Sequence, residues 1–280
     1  MIAVELRKLV LRPRMWVSVG LLCLLPAIVA VFLATADFAP PPGQGAAFLS
    51  AVVSDGSLYP AAALALVLPL FLPIAVAVVA GDAVAGEAAG GTLRYLLARP
   101  VGRTRLLVAK LVAVAVYVTA AIALVVLTSL AVGVLLFGTG GQPGVAGGGA
   151  PPPGVISMSG TALSSSALGW RLLGAVAYIV VSMLGFAAIT LFLSTVTDSA
   201  LGAALGGLAV LITSSVLETL DAAAPAKPYL PTHYWLSWID FFRDPVLWRN
   251  IDQGLLLQAG YLVVFFGAAW ANFATRDITS

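Results

Sequence analysis

The sequence predicts an all-α membrane protein with six transmembrane helices, and three observations predict it. The 280 residues are 61% apolar and only 9% charged, whereas soluble domains carry about 25% charged residues. Six long runs contain no Asp, Glu, Lys or Arg, and each comes close to the roughly 20 residues that a helix needs to cross the hydrocarbon. The runs also lack the two-residue alternation of a membrane β-barrel strand.

The charge-free runs define the order of the elements in what we treat as a single domain, residues 1–280. Because lipid-facing backbone must satisfy its own hydrogen bonds, the runs are expected to be helical. The fourth and fifth are separated only by a tight turn at Asp198, which indicates a helical hairpin. The predicted spans are residues 16–36, 59–81, 106–137, 171–197, 199–217 and 254–275.

Residues 1–14, "MIAVELRKLVLRPR", are predicted to form a short helix on the membrane surface. Apolar side chains share one helical face, and Glu5, Lys8 and Arg12 lie on the other, which is the pattern of an interfacial helix. A simple flank of positive charge is the alternative. Pro13 is expected to end this helix. The apolar run that follows is longer than the roughly 7–15 residues of a signal-peptide core, so we expect it to be retained.

The distribution of basic residues predicts the orientation in the membrane. With six spans, both termini and the loop between the second and third spans lie on one side. That side holds ten of the 14 Lys and Arg residues, and the other side holds four. Cytoplasmic segments carry the excess of Lys and Arg, so both termini are predicted to be cytoplasmic.

The chain lacks the residue patterns of a catalytic or cofactor site. It has no GxxxxGK[ST] phosphate loop and no HExxH motif. A single cysteine, Cys23, excludes an intrachain disulfide, and a single histidine, His233, makes a poor metal site. We therefore expect no enzyme activity, no bound cofactor or metal and no nucleic-acid partner for this chain.

The segment between the second and third spans, residues 82–105, is unusually rich in charge and is broken by Gly90-Gly91 and Pro100. We expect Asp82 to cap a short helix that carries Glu87, and Thr92 to cap a second one. The general excess of Lys and Arg in cytoplasmic segments does not explain the presence of Asp82 and Glu87. The segment is therefore predicted to be a folded cytoplasmic elbow on which a soluble partner acts.

This elbow resembles the segment between the second and third helices of ABC-2 type transporter permeases. The opening "ELRKLVLRPRMW", the order of spans and "LPTHYW" after the fifth span are also similar to that family. The residues of the elbow that carry the resemblance are Asp82, Glu87, Gly91-Thr92-Leu93, Leu96-Leu97, Pro100-Val101, Arg103, Leu106-Leu107 and Lys110.

The resemblance implies the membrane subunit of an ATP-driven exporter, located in the plasma membrane of a bacterium. Such a subunit pairs with a second permease chain, as a homodimer or a heterodimer, and binds two copies of a cytoplasmic ATPase that hold ATP and Mg²⁺. The family's coupling and interface elements fall on the elbow and on residues 1–14. The coupling residues implied are Glu5, Arg7, Lys8, Asp82, Glu87, Thr92, Leu93, Arg94, Leu97, Pro100 and Arg103.

Glu87 is the residue of the elbow that we expect to contact the ATPase directly. It stands among alanines, which offer a partner no anchor, and a basic group on the partner would complete a charge-assisted contact. The alternative is a local pair with Arg94 or Arg99. If Glu87 faces the partner, its replacement by lysine should weaken assembly and leave the membrane fold intact.

The external segment 218–252 is rich in aromatic residues, which collect at membrane interfaces. We expect "HYWLSWIDFF" to form a short helix at or in the outer leaflet. Its residues His233, Tyr234, Trp235 and Trp238 are candidates for an external gate, and an interfacial anchor is the alternative. For the whole chain, the alternative to an exporter subunit is a passive channel or a scaffold subunit of another membrane complex.

The topology can be tested by labelling with a reagent that does not cross the membrane. Tags at both termini and at Gly102 should be reached only from the cytoplasm, because the basic residues stay there. Cysteines placed at Gly148 and Ala223 should react from outside. Labelling of Gly102 from outside would contradict both the number of spans and the position of the elbow.

Overall fold

The computed structural model describes residues 1–35, 48–52, 55–91, 102–138, 155–159 and 161–275. Within these residues it is built of α-helices, with one antiparallel pair of two-residue strands, β1 (Val155–Ile156) and β2 (Ala162–Leu163). The described helices are α1 (Ile2–Leu11), α2 (Pro13–Thr35), α3 (Leu49–Val52), α4 (Tyr59–Val67), α5 (Phe71–Ala89), α6 (Arg103–Phe137), α7 (Ser165–Val196), α8 (Ala200–Thr219) and α9 (Trp248–Thr275).

Six of the described helices, α2 and α5 to α9, are long and apolar enough to cross a membrane. The prediction of an all-α membrane protein with six spans is therefore confirmed, and the chain is a multi-pass membrane protein. Several spans are longer than predicted. Helix α6 has 35 residues and α7 has 32, and α9 begins at Trp248 rather than at residue 254.

The second span is not one helix, as the sequence analysis expected, but two. Helix α4 ends at Val67 and α5 begins at Phe71, with a turn at residues 68–70 between them. Pro69 lies within this turn, and Pro73 lies in the first turn of α5. Since proline has no N–H group and its ring clashes with the preceding helical turn, two prolines four residues apart interrupt the helix. Helix α5 then continues to Ala89, eight residues beyond the predicted end of the span.

The described part of the elbow differs from its prediction. Asp82 does not cap a new helix, because it lies in the middle of α5, and Glu87 lies in the last turns of the same helix. The helix stops where predicted, at Gly90-Gly91, and Gly91 adopts a positive φ of 66° that suits glycine. Helix α6 begins at Arg103, also as predicted. The predicted second short helix lies outside the described residues.

The surface helix α1 forms where it was predicted and ends before Pro13, which is the first residue of α2. The face of α1 that carries Glu5 is turned toward the rest of the chain. Glu5 is buried against the protein, whereas the apolar residues Ile2 and Val10 are about half exposed. We call the end of the bundle where α1 lies, α5 ends and α6 begins the basic end.

Helix α5 lies at the centre of the bundle, between α7 and α8. The hydroxyl group of Ser194 on α7 donates a hydrogen bond to the carbonyl of Gly81 at 2.6 Å and accepts one from the backbone N–H of Ala85 at 2.9 Å. A Cβ atom at Gly81 would lie only 2.8 Å from the backbone nitrogen of Ala204 on α8. Small residues thus allow the two backbones to approach closely, as is common between membrane helices.

The aromatic segment at the opposite end is a 3₁₀-helix, Trp235–Phe242, that packs against α7 and α9. Trp235 and Trp238 are buried in the main hydrophobic core. The ring of Trp235 meets Phe186 on α7 at a centroid distance of 5.7 Å, and the ring of Trp238 meets Phe48 at 5.9 Å. The rings of these two residues therefore face the interior of the protein.

The contact at Gly81 predicts a large effect of a small substitution. Gly81→Val should destabilise the protein by about 1–3 kcal/mol, because the new side chain would push the backbones of α5 and α8 apart. Gly267→Val on α9 is the matched control, since nothing lies within 4 Å of a Cβ atom there. Thermal unfolding in detergent measures both variants, and equal midpoints would contradict the close approach of α5 and α8.

Candidate functional site

Four charged side chains form a closed set of ion pairs at the basic end. Two carboxylates, Glu5 on α1 and Glu87 on α5, alternate with two ammonium groups, Lys8 on α1 and Lys110 on α6. Glu87 lies 3.0 Å from the Nζ atom of Lys8 and 2.7 Å from that of Lys110. Glu5 lies 3.1 Å from Lys8 and 3.5 Å from Lys110. We call these four residues the charge network.

The spacing of residues on each helix brings the four groups together. Glu5 and Lys8 are one turn apart, so they share a face of α1, and this face is turned toward the ends of α5 and α6. Glu87 stands two residues before the end of α5. Lys110 is in the second turn of α6, where it also donates a hydrogen bond to the carbonyl of Ala83. Three helices that are separate in sequence therefore meet at one set of ion pairs.

The charge network is largely removed from solvent. The side chain of Lys110 is only 2% exposed and that of Glu87 only 5%, whereas Lys8 is 38% exposed. Burying an unpaired charge is very costly, but every member of the network touches two groups of opposite charge and the four charges sum to zero. The network is therefore stable only when it is complete.

The network also acts on the protonation of Lys8. Burial lowers the pKa of Lys8, but the hydrogen bonds and charges of Glu87 and Glu5 outweigh that effect and raise it above its ordinary value of 10.5. A raised lysine pKa means that the stabilising charge is fully present below pH 10.5 and is lost only as the pH rises through the folded-state value. Lys8 thus remains charged throughout the physiological range.

A second set of ion pairs lies next to the network. Asp82 on α5 accepts a hydrogen bond from Arg12, and one of its oxygens lies 3.8 Å from Arg14. The carboxylate of Asp82 lies over Gly86, where a Cβ atom would be only 2.1 Å away. Gly86 therefore provides the space that Asp82 occupies. The two sets fix α1 and the start of α2 to the last three turns of α5.

A small cavity of about 60 Å³ opens beside these ion pairs. Charged groups such as Lys8, Arg12 and Asp82 line one side, and apolar residues such as Val79 and Val114 line the other. The volume holds a few water molecules, and polar walls favour such hydration. The cavity gives the charges room to rearrange without a loss of packed apolar contacts.

The structure brings together four of the eleven predicted coupling residues: Glu5, Lys8, Asp82 and Glu87. Arg7 is exposed and forms none of the ion pairs of the network. Arg103 donates a 2.7 Å hydrogen bond to the carbonyl of Ala274, which ties the start of α6 to the end of α9. Five predicted coupling residues lie outside the described residues: Thr92, Leu93, Arg94, Leu97 and Pro100.

Sequence reasoning expected the carboxylate of Glu87 to be accessible and did not propose three of the cations that form ion pairs at the basic end. The carboxylate does not face a partner, because it is buried and paired with Lys8 and Lys110. The predicted consequence of Glu87→Lys changes accordingly: a third ammonium group would meet Lys8 and Lys110, so the variant should destabilise the fold. The members that were not proposed for the site are Arg12, Arg14 and Lys110. Lys110 was detectable, because a lysine inside an apolar helix needs an acidic partner.

The predicted gate residues lie at the opposite end and do not form one site. Trp235 and Trp238 are core residues. His233 and Tyr234 are partly exposed: the Nδ1 atom of His233 is 3.1 Å from both carboxylate oxygens of Glu218, and the hydroxyl group of Tyr234 donates to Gln253. Among the described residues, no group of three or more His, Cys, Asp or Glu side chains could hold a metal ion.

The fold and this site define a multi-pass helical membrane protein whose surface helix is fixed to two of its spans by buried ion pairs. A family model described as "Protein of unknown function (DUF2705)" matches residues 23–279, and the chain belongs to that family. The comparison with curated proteins gives no match. The family description carries no activity, so the resemblance to ABC-2 type permeases is taken forward as a proposal.

The charge network predicts a strong dependence of stability on Lys110. Lys110→Met should cost about 3–5 kcal/mol, because it leaves two buried carboxylates with one cation. Adding Glu87→Gln should recover much of this loss, since Glu5 and Lys8 then balance one another. Thermal unfolding of both variants in detergent tests this, with Arg249→Met at the opposite end as the control. If the stability lost in the double variant equals the sum of the losses in Lys110→Met and Glu87→Gln, the four groups do not act as a unit.

Proposed function

We propose that the chain is the membrane subunit of an ATP-driven ABC exporter in a bacterial cytoplasmic membrane. In this proposal two permease chains form the translocation pathway, and two cytoplasmic ATPase subunits bind and hydrolyse ATP with Mg²⁺. The six spans, the surface helix α1 and the motif residues between α5 and α6 support it. One observation favours transport over a scaffold role: the broken second span.

In this proposal α4 and α5 cross the membrane together, which places the break at the depth of the lipid hydrocarbon. Twelve residues separate Leu70 from Asp82, which corresponds to about 18 Å of helix. Asp82 is held at the basic end by Arg12, and the hydrocarbon layer is about 30 Å thick. The side chains of Leu70 and Phe71 are nevertheless 46% and 44% exposed on the surface of the chain. The break is thus both deep and uncovered.

The break also interrupts the backbone hydrogen bonding of the helix. Pro69 has no N–H group to donate to the carbonyl of Ala65, and Leu70, at the N-cap of α5, makes no side-chain hydrogen bond to the first N–H groups of that helix. Irregular backbone at membrane depth occurs where it is buried in protein or lines a water-filled cavity, not where it faces lipid. Interrupted helices of this kind line the binding sites of many transporters.

Helix α5 provides a direct mechanical path from the basic end to the break. Its 19 residues span about 28 Å. One end carries Asp82 and Glu87, which are paired with α1, and the other end is the break. An ATPase that moves α1 or the end of α5 would thereby move the wall of the pathway. The buried ion pairs transmit the movement, and the partner subunit supplies the energy.

Accessibility of the break to water tests the proposal. In a Cys23→Ala background, Leu70→Cys should react with a charged thiol reagent, because the break lines a hydrated pathway. With the partner ATPase present, the rate should differ between ATP and ADP. Leu24→Cys is the matched control: Leu24 is 51% exposed and lies twelve residues from Arg12, just as Leu70 lies twelve from Asp82.

Leu24→Cys should not react, since it faces lipid at the same depth. An unreactive Leu70→Cys that instead forms a disulfide between two copies would show a dry interface and contradict the pathway. Reaction of Leu70→Cys at a rate that nucleotide does not change would favour the passive channel.

A further inference from the structure

A second, larger cavity opens at the basic end, between the start of α1 and the start of α6. Its volume is about 590 Å³, which is within the range of roughly 300–1,000 Å³ of small-molecule sites. We call it the α1–α6 groove. It is lined by Met1, Ile2 and Ala3 from the start of α1 and by Thr104, Arg105, Val108 and Ala109 from the start of α6.

The lining of the α1–α6 groove is apolar apart from one threonine and one cation. Ile2 and Val108 are 45% and 39% exposed, and they continue into the surface that faces the membrane. Arg105 is exposed, and its guanidinium group has no ion pair or hydrogen bond within the described part of the chain. None of the described residues that line the groove is acidic.

The acidic residues that the structure describes near the groove already have partners. Glu5 and Glu87 are held by Lys8 and Lys110. Asp82 is paired with Arg12 and does not line the groove. Among the described residues the unbalanced charge at this groove is therefore positive, and its complement is an anion.

The level of the groove in the membrane identifies the source of that anion. The indole N–H of Trp270 on α9 donates a 2.8 Å hydrogen bond to the hydroxyl group of Thr104, which lines the groove. Tryptophan rings that are half exposed, as this one is, settle where lipid headgroups meet acyl chains. The helix α1 lies at the same level as a surface helix. The groove thus presents a cation at headgroup level and an apolar wall that leads into the hydrocarbon.

We propose that the α1–α6 groove binds one anionic phospholipid of the surrounding membrane. The lipid phosphate forms a charge-assisted hydrogen bond with Arg105, and the first part of an acyl chain lies along Ile2, Val108 and Ala109. Basic residues beside a transmembrane helix recognise anionic lipids in this way. The bound lipid would fill the space between α1 and α6 and so add a contact to the one that the charge network makes.

The test measures lipid retained by the full-length chain. The protein is reconstituted in vesicles of phosphatidylglycerol and phosphatidylcholine, extracted in mild detergent and examined by native mass spectrometry. Wild type should retain one phosphatidylglycerol molecule in preference to phosphatidylcholine. Arg105→Gln should lower the retained fraction about tenfold, which is the effect expected for the loss of one charged hydrogen bond, and Arg105→Lys should keep part of it.

Two further variants separate a built site from general attraction to negative membranes. Val108→Trp fills the groove and leaves every charge in place, so it should also lose the lipid. Arg7→Gln removes an exposed cation of the same end that does not line the groove, so it should retain the lipid. Each variant is first shown to unfold at the wild-type temperature, and Arg105→Lys serves as the replacement if Arg105→Gln does not fold.

Some results would overturn the proposal. Equal retention of the two lipids by wild type would mean adventitious lipid only. Equal losses in Arg7→Gln and Arg105→Gln, with none in Val108→Trp, would mean diffuse electrostatic attraction without a site. Full retention of phosphatidylglycerol by Arg105→Gln would show that the guanidinium group of Arg105 does not bind the lipid.

Discussion

The alternating ion pairs of Glu5, Lys8, Glu87 and Lys110 are the interaction on which the arrangement of the basic end depends. They join a surface helix to two membrane spans, while apolar residues of α1 such as Ile2 and Val10 are turned outward. Each carboxylate can be buried because two cations surround it. A change that separates α1 from the bundle must therefore break several charged contacts together.

The consequences extend along α5. This helix carries the acidic partners at one end and the exposed break at the other, and its middle is fixed closely to α7 and α8 through Ser194 and Gly81. A rigid helix that is held at the centre transmits a displacement from one end to the other. The proposed export function uses this property, because the energy enters at the basic end and the interrupted span lies at the other end of α5. The same geometry explains why Glu87 can matter for coupling without touching a partner.

The sequence predicted the spans well because hydrocarbon excludes unpaired charge, so charge-free runs mark the membrane directly. It predicted that Glu5 and Lys8 share a face of α1, but periodicity alone does not decide which face meets the protein. Glu87 was taken as exposed because its partners, Lys8 and Lys110, are distant in sequence and come together only when the helices pack. The break in the second span was detectable from Pro69 and Pro73. It was missed because the run is uniformly apolar.

The central claim is that this chain works as the membrane half of an ATP-driven complex. The most direct measurement is native mass spectrometry of the chain after co-expression with an ABC ATPase that is encoded next to its gene. The account predicts a complex of two permease chains and two ATPase subunits, in which the membrane chains raise the rate of ATP hydrolysis over that of the ATPase alone. A chain that purifies without the ATPase, and leaves its hydrolysis rate unchanged when the two are mixed in lipid, would contradict the account.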